Sequence, residues 1–458
     1  MARAGRFRAG LLTNARDQLA RGAFTPPMPE LPRASFRETA AVLGQAVGPL
    51  FAKGMFVRRP TVVRLLHATG AELAEVRALQ ALRARHGSGP VMLRTPGRKL
   101  AVVLDPDHAR RVLAETPEPF ETDMAEKRSA LAHFEPRGSL ASRGRDRTER
   151  RAFNDRVLDS QCSIHRLAGE MTAIATAEAE ALLTHADDEG ALSWGAFKDA
   201  WHRMARGVVL GRSAADDKGL SRLLISLRGD ANWAFLKPKR RKVRERFQAA
   251  VRAHLDRAAP GSLASLMPDA ATPRAASVDQ VAQWLFAWDA AGIATFRALA
   301  MFASLPGYAQ AARDEAVRGS PELPLLRAAV LESVRLWPTT PAILRETDRE
   351  TDWNGAAMPA GTGLLIHVPF FHRDDQHLAY ANRFAPELWT GDAPERAALV
   401  PFSAGPGFCP AKRLVEFLGS HMLAHLLARS WRVPERRRLV QGRMPPTFDQ
   451  FSLTLFPA

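Results

Sequence analysis

The chain has very few cysteines, and their scarcity limits what they can do. Among 458 residues there are only two, Cys162 and Cys409. Two cysteines exclude a disulfide scaffold and argue against a structural zinc site built from cysteines. Both are compatible with free thiols in a reducing cytoplasm, so each has to be interpreted from its own surroundings.

Long apolar runs are missing as well. No stretch of 18 or more apolar residues occurs, so the sequence predicts no transmembrane segment. The first residues are arginine-rich and lack an apolar core, which argues against a secretory signal and favours a cytoplasmic protein. No repeat, low-complexity tract or Gly/Ser-rich linker divides the chain. We therefore predict an N-terminal lead-in with short helices over 1–60 and one large domain over 61–458.

Charge of one sign is in excess, since the formal net charge is +16. Such a chain attracts nucleic acid, anionic membrane or an acidic protein. The basic residues cluster at 143–151 and 237–246, and solvated helix faces explain both clusters equally well. No helix-turn-helix or zinc-finger pattern supports readout of nucleic acid, and none is predicted as a partner.

Apolar periodicity predicts a mainly α protein with small β regions. Helical spacing dominates from about 145 to 305 and returns at 324–337. Strand-like segments at 90–104 surround a Thr-Pro-Gly-Arg turn, which predicts a hairpin. Further short strands are predicted at 343–372 and near the C-terminus. Asp105-Pro106 is typical of a helix start.

The segment 401–411 has the most informative local pattern. Two glycines and two prolines deliver one cysteine, Cys409, to the start of a predicted helix. Partial positive charge and unpaired N–H groups at a helix N-terminus lower the pKa of a thiol. Gly405 and Gly407 would let the backbone pass close to a flat ligand. We therefore expect Cys409 to be a metal-binding thiolate and Cys162 to be an ordinary thiol.

The pattern Phe402-x-x-Gly405-x-x-x-Cys409 resembles the haem-binding loop of the cytochrome P-450 superfamily, soluble bacterial type. The resemblance implies a single large domain of that fold. It also implies haem b (iron protoporphyrin IX) as cofactor, with Cys409 as the iron ligand. Phe402 and Gly405 are then cofactor-binding residues. The family usually has a basic residue that reaches a haem propionate two positions before the cysteine, where this chain has Gly407.

A second matching motif is Glu332-x-x-Arg335, about 75 residues before Cys409. Residues three apart share a helix face, so the two charges can pair. The resemblance implies a structural role for this pair. The family completes the network with an arginine that follows Phe-x-Pro-Glu. This chain has Leu388 there, and Arg383 is a candidate substitute.

A third motif lies in the apolar helix of residues 281–305. Gly292 and Thr295 match the positions where the family places haem and oxygen, which implies catalytic roles for both. Thr295 alone is equally well explained as a helical threonine bonded to its own backbone. The acid that normally precedes this threonine is replaced by Ala294, and Asp289 lies on another helix face.

Propionate contacts are implied for three further residues. Arg345 follows the Glu-x-x-Arg helix where the family has a propionate arginine, and guanidinium groups bind carboxylates in a bidentate manner. Arg151 lies on the early basic helix, where Arg147 takes the place of the family's usual tryptophan. His133 is the third candidate.

The resemblance implies a monooxygenase that inserts one oxygen atom from O2 into a small organic substrate. Since no flavin or iron–sulfur motif is present, electrons would come from a separate ferredoxin- or flavodoxin-type donor. Two alternatives remain open at this stage. One is a haem-thiolate enzyme that uses peroxide or catalyses a non-hydroxylating reaction, because Ala294 removes the usual acid. The other is a non-enzymatic haem- or nucleic-acid-binding protein.

Overall fold

The computed structural model describes residues 29–257, 259–391 and 399–458. The first helical stretch combines α1 (Phe36–Ala41), a π-helical turn (Val42–Val47) and α2 (Gly48–Lys53). Ser35 and Glu38 form a capping box at its start, which satisfies two of the free N–H groups. The remaining helices of the first half are α3 (Pro60–Thr69), α4 (Leu73–His86), α5 (Pro106–Ala114), α6 (Ala125–Leu131), α7 (Gly144–Val157), α8 (Ala168–Glu189) and α9 (Trp194–Leu210).

The second half of the chain continues the helical pattern and ends in short strands. Its helices are α10 (Lys218–Ala231), α11 (Arg241–Leu255), α12 (Leu263–Ala270), α13 (Ser277–Ser304), α14 (Pro306–Val317), α15 (Pro324–Leu336), α16 (Val368–Arg373) and α17 (Lys412–Leu426). The strands are β1 (Val91–Leu93), β2 (Leu100–Val102), β3 (Phe120–Glu121), β4 (Leu192–Ser193), β5 (Ala342–Thr347), β6 (Thr351–Trp353), β7 (Ala356–Met358), β8 (Gly363–His367), β9 (Trp431–Arg432) and β10 (Thr454–Pro457). The prediction of a mainly α protein with small β regions is confirmed.

The main sheet has five strands in the order β1-β2-β8-β5-β3. The predicted hairpin is present, with Val91 opposite Val102. Strand β8 pairs parallel with β2 and antiparallel with β5. Two smaller sheets, β4-β10-β9 and β6-β7, complete the β structure. Asp105 caps α5 by accepting from the N–H groups of Asp107 and His108, as its sequence predicts.

One expectation about segment limits is corrected and another stays open. Apolar spacing from Val62 to Arg85 predicts a single helix, which the structure splits into α3 and α4 because Gly70 has a positive φ of 63° and ends α3. The lead-in is not separated from the main body by a gap in the packing. Leu31 and Ala34 are buried, and the Ala34 N–H donates to Met92 in β1 at 2.8 Å. The division at residue 60 stays a prediction, and residues 1–28 lie outside the described part.

A bundle of α8, α9, α13 and α17 forms the centre of the larger core, with α15 packed on α13 and α17. A second core lies between the main sheet and α4 and α5. The helix α13 is long and apolar enough to cross a membrane by length and composition, and 72% of its most apolar window is buried inside the protein. Burial of this kind is what the core helix of a bundle requires. This bundle and sheet bracket the segment that carries Cys409.

Candidate active site

Cys409 lies one turn before α17, between a 3₁₀ turn (Gly405–Gly407) and the first helical residue, Lys412. Its N–H donates to the carbonyl of Phe402 at 2.9 Å, and its own carbonyl accepts from the Lys412 N–H at 3.2 Å. The sequence predicted that the cysteine itself opens the helix, so the helix begins three residues later than expected. Cys162, the other thiol, is exposed.

The ionisation of Cys409 differs from the sequence prediction. Desolvation by the surrounding protein raises the pKa of the thiol above its ordinary value. A hydrogen bond from the Ala411 backbone N–H and the charges of Arg151 and Lys412 act in the opposite direction and do not outweigh it. The helix N-terminus alone therefore does not produce a thiolate here. A cation bound to the sulfur would have to supply the remaining stabilisation.

Gly405 and Gly407 are required for packing inside the protein. A Cβ on Gly405 would lie 2.0 Å from the carbonyl oxygen of Leu113, at the end of α5. A Cβ on Gly407 would lie 2.6 Å from Nη2 of Arg345. The structure thus places two protein neighbours against these glycines, and the expectation that they admit a flat ligand stays a prediction. Arg345 occupies the space that a side chain at position 407 would need.

Three cationic side chains converge on this loop. The Arg345 guanidinium donates to Oγ1 of Thr116 and lies against Gly407, while Arg147 donates to the carbonyl of Pro406 at 3.5 Å. Burial and the charges of Arg345 and Arg147 lower the pKa of Lys127 to about 7. Burial, followed by the charge of Arg147, lowers the pKa of Arg345 to about 10. Their positive charges therefore destabilise one another.

This cationic cluster is Lys127, Arg147 and Arg345. Within the described ranges, none of its three members lies within 4.0 Å of a carboxylate. Desolvated cations that lack counter-charges are costly unless an anion joins them. Haem carries two propionates that could pair with these cations, and its iron needs a ligand such as the Cys409 sulfur. The residues present therefore fit this cofactor.

The other residues predicted to bind cofactor have different surroundings. Arg151 stacks on the Phe408 ring with its Cζ 4.3 Å from the centroid, donates to the Phe408 carbonyl and pairs with Asp155. Phe402 is partly buried against the larger core. His133 is buried, and its pKa is lowered by burial while Asp230 acts to raise it. Within the described residues neither ring nitrogen of His133 has a hydrogen-bond partner, and its propionate contact stays a prediction.

Gly292 is explained by a tryptophan of the neighbouring helix α9. A Cβ at this position would lie 2.7 Å from Cδ1 of Trp201. The Trp201 indole also donates to the carbonyl of Trp288, one turn earlier on α13, at 2.8 Å. A protein side chain therefore lies against the helix at this glycine, and a catalytic role for Gly292 stays a prediction.

Thr295 is fully buried at the junction of three helices. Its hydroxyl donates to the Ala291 carbonyl at 2.9 Å, and a Cβ on Gly419 of α17 would lie 2.9 Å from its Oγ1. The same Gly419 Cβ would lie 3.1 Å from Cγ2 of Val330 on α15. The structure therefore shows the backbone-bonded threonine that the sequence allowed. A catalytic role for Thr295 stays a prediction.

Asp289 does not replace the acid missing at Ala294. It accepts from His202 at 2.6 Å and pairs with Arg228, and these two partners lower its pKa to about 2 despite burial. A carboxylate held ionised by a guanidinium has no proton to give near neutral pH. Its position on a separate helix face agrees with the sequence prediction.

Glu332 and Arg335 form a completely buried ion pair on α15. The guanidinium bonds both carboxylate oxygens, with Nε to Oε2 at 2.5 Å and Nη2 to Oε1 at 2.8 Å. The same guanidinium donates to backbone carbonyls of four residues outside the helix: His372, Tyr380, Ala381 and Arg383. The pair therefore fixes the irregular segment that follows α16.

Trp389 is the residue that sequence reasoning missed. Its indole N–H donates to Oε2 of Glu332 at 3.0 Å, and the Ala385 N–H donates to Oε1 at 2.6 Å. These two donors act on Glu332 in place of the family's arginine: Trp389 lies one residue after Leu388, and Ala385 lies three residues before it. The side chain of Arg383 pairs instead with Glu387 and is exposed, so its predicted substitution is wrong. The tryptophan next to the expected arginine position is the sequence feature that could have identified this donor.

Comparison with known proteins agrees with this arrangement. The family model described as Cytochrome P450 matches residues 310–441. The chain is 34% identical over 116 residues to a cyclooctat-9-en-7-ol 5-monooxygenase of Streptomyces melanosporofaciens, which covers 25% of each chain. It is 32% identical over 133 residues to a drimenol monooxygenase of Persicaria hydropiper, covering 28% of this chain and 25% of that one. The match thus spans about a quarter of the length of these curated relatives.

The whole fold has a counterpart among solved structures. A cytochrome P450 crystal structure superposes with a TM-score of 0.71 at 17% identity, covering 94% of this chain and 99% of that chain. A zebra fish cytochrome P450 with abiraterone gives a TM-score of 0.63 at 18% identity, with 83% and 97% coverage. The fold extends over nearly the whole chain, while the sequence match is concentrated on the part with Glu332, Arg335 and Cys409. The chain therefore has the fold of cytochrome P450 structures, and its residues 310–441 match the Cytochrome P450 family model.

Proposed function

We propose that this chain is a haem-thiolate monooxygenase of the soluble, cytoplasmic, bacterial type. It would insert one oxygen atom from O2 into a small organic substrate. The observation that carries the proposal is the desolvated Cys409 thiol, which lies beside a cationic cluster without paired carboxylates. The family match over residues 310–441 and two relatives named as monooxygenases support it.

The cofactor that fits these residues is haem b. Cys409 would hold the iron, while Lys127, Arg147 and Arg345 would hold the propionates. When bound, haem supplies the redox chemistry by which oxygen is activated, and the protein supplies binding, orientation and electrostatics. The Ala411 N–H donates toward the Cys409 sulfur. Such a hydrogen bond tunes a ligating thiolate by withdrawing charge from it.

Thiolate ligation is tested by the spectrum of the reduced, haem-loaded protein with carbon monoxide. We expect the strongly red-shifted Soret band of thiolate-bound haem. Cys409→Ser should abolish this band because a hydroxyl does not replace the thiolate. Cys162→Ala is the matched control and should retain it, since Cys162 is exposed. If only Cys162→Ala lost the band, the assignment of Cys409 as the iron ligand would be wrong.

A second candidate function, peroxide-driven oxidation, is favoured by one specific observation. The acid expected before Thr295 is Ala294, Asp289 is held ionised, and the Thr295 hydroxyl donates to its own helix. A reaction that starts from O2 needs protons at this place, whereas peroxide already brings them. The second candidate is supported if turnover is faster with hydrogen peroxide than with O2 and an electron donor. Incorporation of labelled oxygen from dioxygen would decide for the first.

Electrons for the O2 reaction would come from a separate ferredoxin- or flavodoxin-type protein. Lys412 and Arg413 follow Cys409 directly and are partly exposed, although both lie within 4.0 Å of the buried Glu416. An acidic donor would be steered to these charges, and screening by salt would slow the encounter. Reversal of both charges should therefore slow reduction of the haem. The same reversal at Lys239 and Arg241 should leave the reduction rate unchanged.

A further inference from the structure

A cavity of about 340 Å³ adjoins α13 on the helix face opposite the predicted catalytic Thr295. Ile293 and Arg297 line it, two residues before and two residues after Thr295. Residues four apart on a helix share one face, so the cavity runs along a single side of α13 at this level. The segment after α15 and the C-terminal residues 442–451 form much of the remaining wall. Its volume lies in the usual range for small-molecule sites.

The wall of this cavity carries a marked excess of positive charge. Five cationic side chains line it against two carboxylates, a formal difference of +3: Lys53, Arg58, Arg297, Arg373 and Arg443 against Glu72 and Glu75. The carboxylates are already engaged. Glu72 pairs with Lys53 and accepts from the Thr447 hydroxyl, and Glu75 lies 3.4 Å from His367.

Among the described residues, only Lys53 of the five cations lies within 4.0 Å of a carboxylate, and Arg58 and Arg297 are two of the four that have none. Arg58 donates to the carbonyls of Gly54 and Thr339. Arg297 donates to Gln450, to the Trp337 carbonyl at 2.8 Å and to the Phe448 carbonyl at 3.2 Å. In the part of the chain that the structure describes, neither guanidinium has a carboxylate within 4.0 Å. Neutral acceptors satisfy some of the N–H groups, and the more distant carboxylate of Glu72 compensates the two charges only in part.

The two guanidinium groups also destabilise each other. Burial, followed by the charge of Arg58, lowers the pKa of Arg297 to about 9. The pKa of Arg58 is likewise lowered, chiefly by burial. Both side chains remain protonated near neutral pH. An anion placed between them would relieve the repulsion and would use N–H groups that the backbone carbonyls leave available.

The rest of the wall is apolar. Ile293, Leu336, Trp337 and Phe448 line the cavity together with several prolines, including Pro338. A purely inorganic anion would leave this surface without a partner. An apolar body attached to an anionic group would cover both parts of the wall, because burial of apolar surface is itself favourable.

We propose that the cavity binds a small organic carboxylate with an apolar body, and that Arg58 and Arg297 hold its carboxylate. This proposal goes beyond the proposed monooxygenase function, since none of the residues assigned to the haem site lines the cavity. Arg58 and Arg297 are thus the residues that select anionic ligands. The apolar body would lie along Ile293, on the face of α13 that points away from Thr295.

The test compares probes that differ only in their charged end. Decanoate, decanamide and methyl decanoate are titrated into the haem-loaded full chain, and binding is followed both by calorimetry and by the haem spectrum. We expect decanoate to bind about ten- to a hundredfold more tightly than the two neutral probes, as is typical of hydrogen bonds to charged groups. Equal affinities for all three probes would overturn the proposal without the use of any variant.

Variants then identify which residues bind the carboxylate of the probe. Arg297→Gln and Arg58→Gln should each remove most of the preference for decanoate while leaving the affinity for methyl decanoate unchanged. Arg58→Lys should retain much of it. Arg206→Gln is the matched control, because Arg206 is a buried arginine that donates to the Ala215 carbonyl and does not line this cavity. A preference that survives both glutamine variants would place the carboxylate elsewhere and refute the assignment.

Failure of this proposal and failure of the proposed function are distinguishable. If decanoate binds preferentially and Arg297→Gln abolishes the preference, the cavity is an organic-anion site even where the Cys409 band is missing. If the band is present and all three probes bind equally, the enzyme function stands and the organic-anion site is refuted.

Discussion

The Trp389 indole replaces a charged group in the buried network around Glu332, and this substitution has a measurable consequence. Trp389→Phe keeps an aromatic ring but removes the N–H that donates to Oε2 of Glu332 at 3.0 Å. A hydrogen bond to a charged acceptor contributes about 1.5–3 kcal/mol, and the acceptor here is completely buried. We therefore expect Trp389→Phe to lower the free energy of unfolding by about 2 kcal/mol.

Urea denaturation of the full chain, followed by the circular dichroism of its helices, measures this loss without relying on tryptophan fluorescence. Trp233→Phe is the control, because the Trp233 ring is 41% exposed and its replacement should cost no more than about 0.5 kcal/mol. Should the two variants unfold at the same urea concentration, the donor to Glu332 would contribute nothing and the reasoning would be refuted.

Three further predictions follow from single close contacts. Gly407→Arg should speed the transfer of haem to apomyoglobin, because the new side chain would displace Arg345, which lies 2.6 Å from a Cβ at this position. Gly292→Ala should lower stability to urea by about 1–3 kcal/mol, because its Cβ would overlap Trp201. Asp289→Asn should make the free energy of unfolding depend less steeply on pH in the acid range. The pKa of Asp289 is lowered to about 2 when folded, so its contribution of about 2 kcal/mol is present above pH 4 and is lost as the pH falls toward 2.

Each of these has a control that the chain itself offers. Gly89→Arg introduces the same charge as Gly407→Arg where a Cβ meets nothing within 4 Å, so haem transfer should be unchanged. Gly229→Ala also has free space on α10 and should raise stability by about 0.5–1 kcal/mol. If Gly292→Ala raised stability to urea as Gly229→Ala does, the Trp201 side chain would accommodate the added methyl group at no cost and the prediction would be wrong. If the free energy of unfolding fell as steeply with acid in Asp289→Asn as in the unmodified chain, the lowered pKa of Asp289 would be contradicted.

Local patterns were sufficient for much of the secondary structure. The strand pair Val91–Leu93 and Leu100–Val102 was predictable because β-branched and apolar residues flank a Pro-Gly turn. The start of α5 was predictable because Asp105 and Pro106 act on the backbone next to them. The break at Gly70 was missed because apolar spacing continues across it, and a single glycine in a periodic segment is tolerated as often as it ends a helix.

The sequence by itself determined the resemblance to a family, the cysteine expected to hold the iron and the pair of charged residues on α15. These depend on spacing along one helix or one loop, which the chain carries locally, as in the pairing of Glu332 with Arg335. Only the tertiary structure decided the raised pKa of Cys409, the approach of Arg345 to Gly407, the donor role of Trp389 and the cationic wall around Arg58 and Arg297. Each of these brings together residues more than fifty positions apart. Their energies come from desolvation and from charges across space, neither of which is written in the order of neighbouring residues.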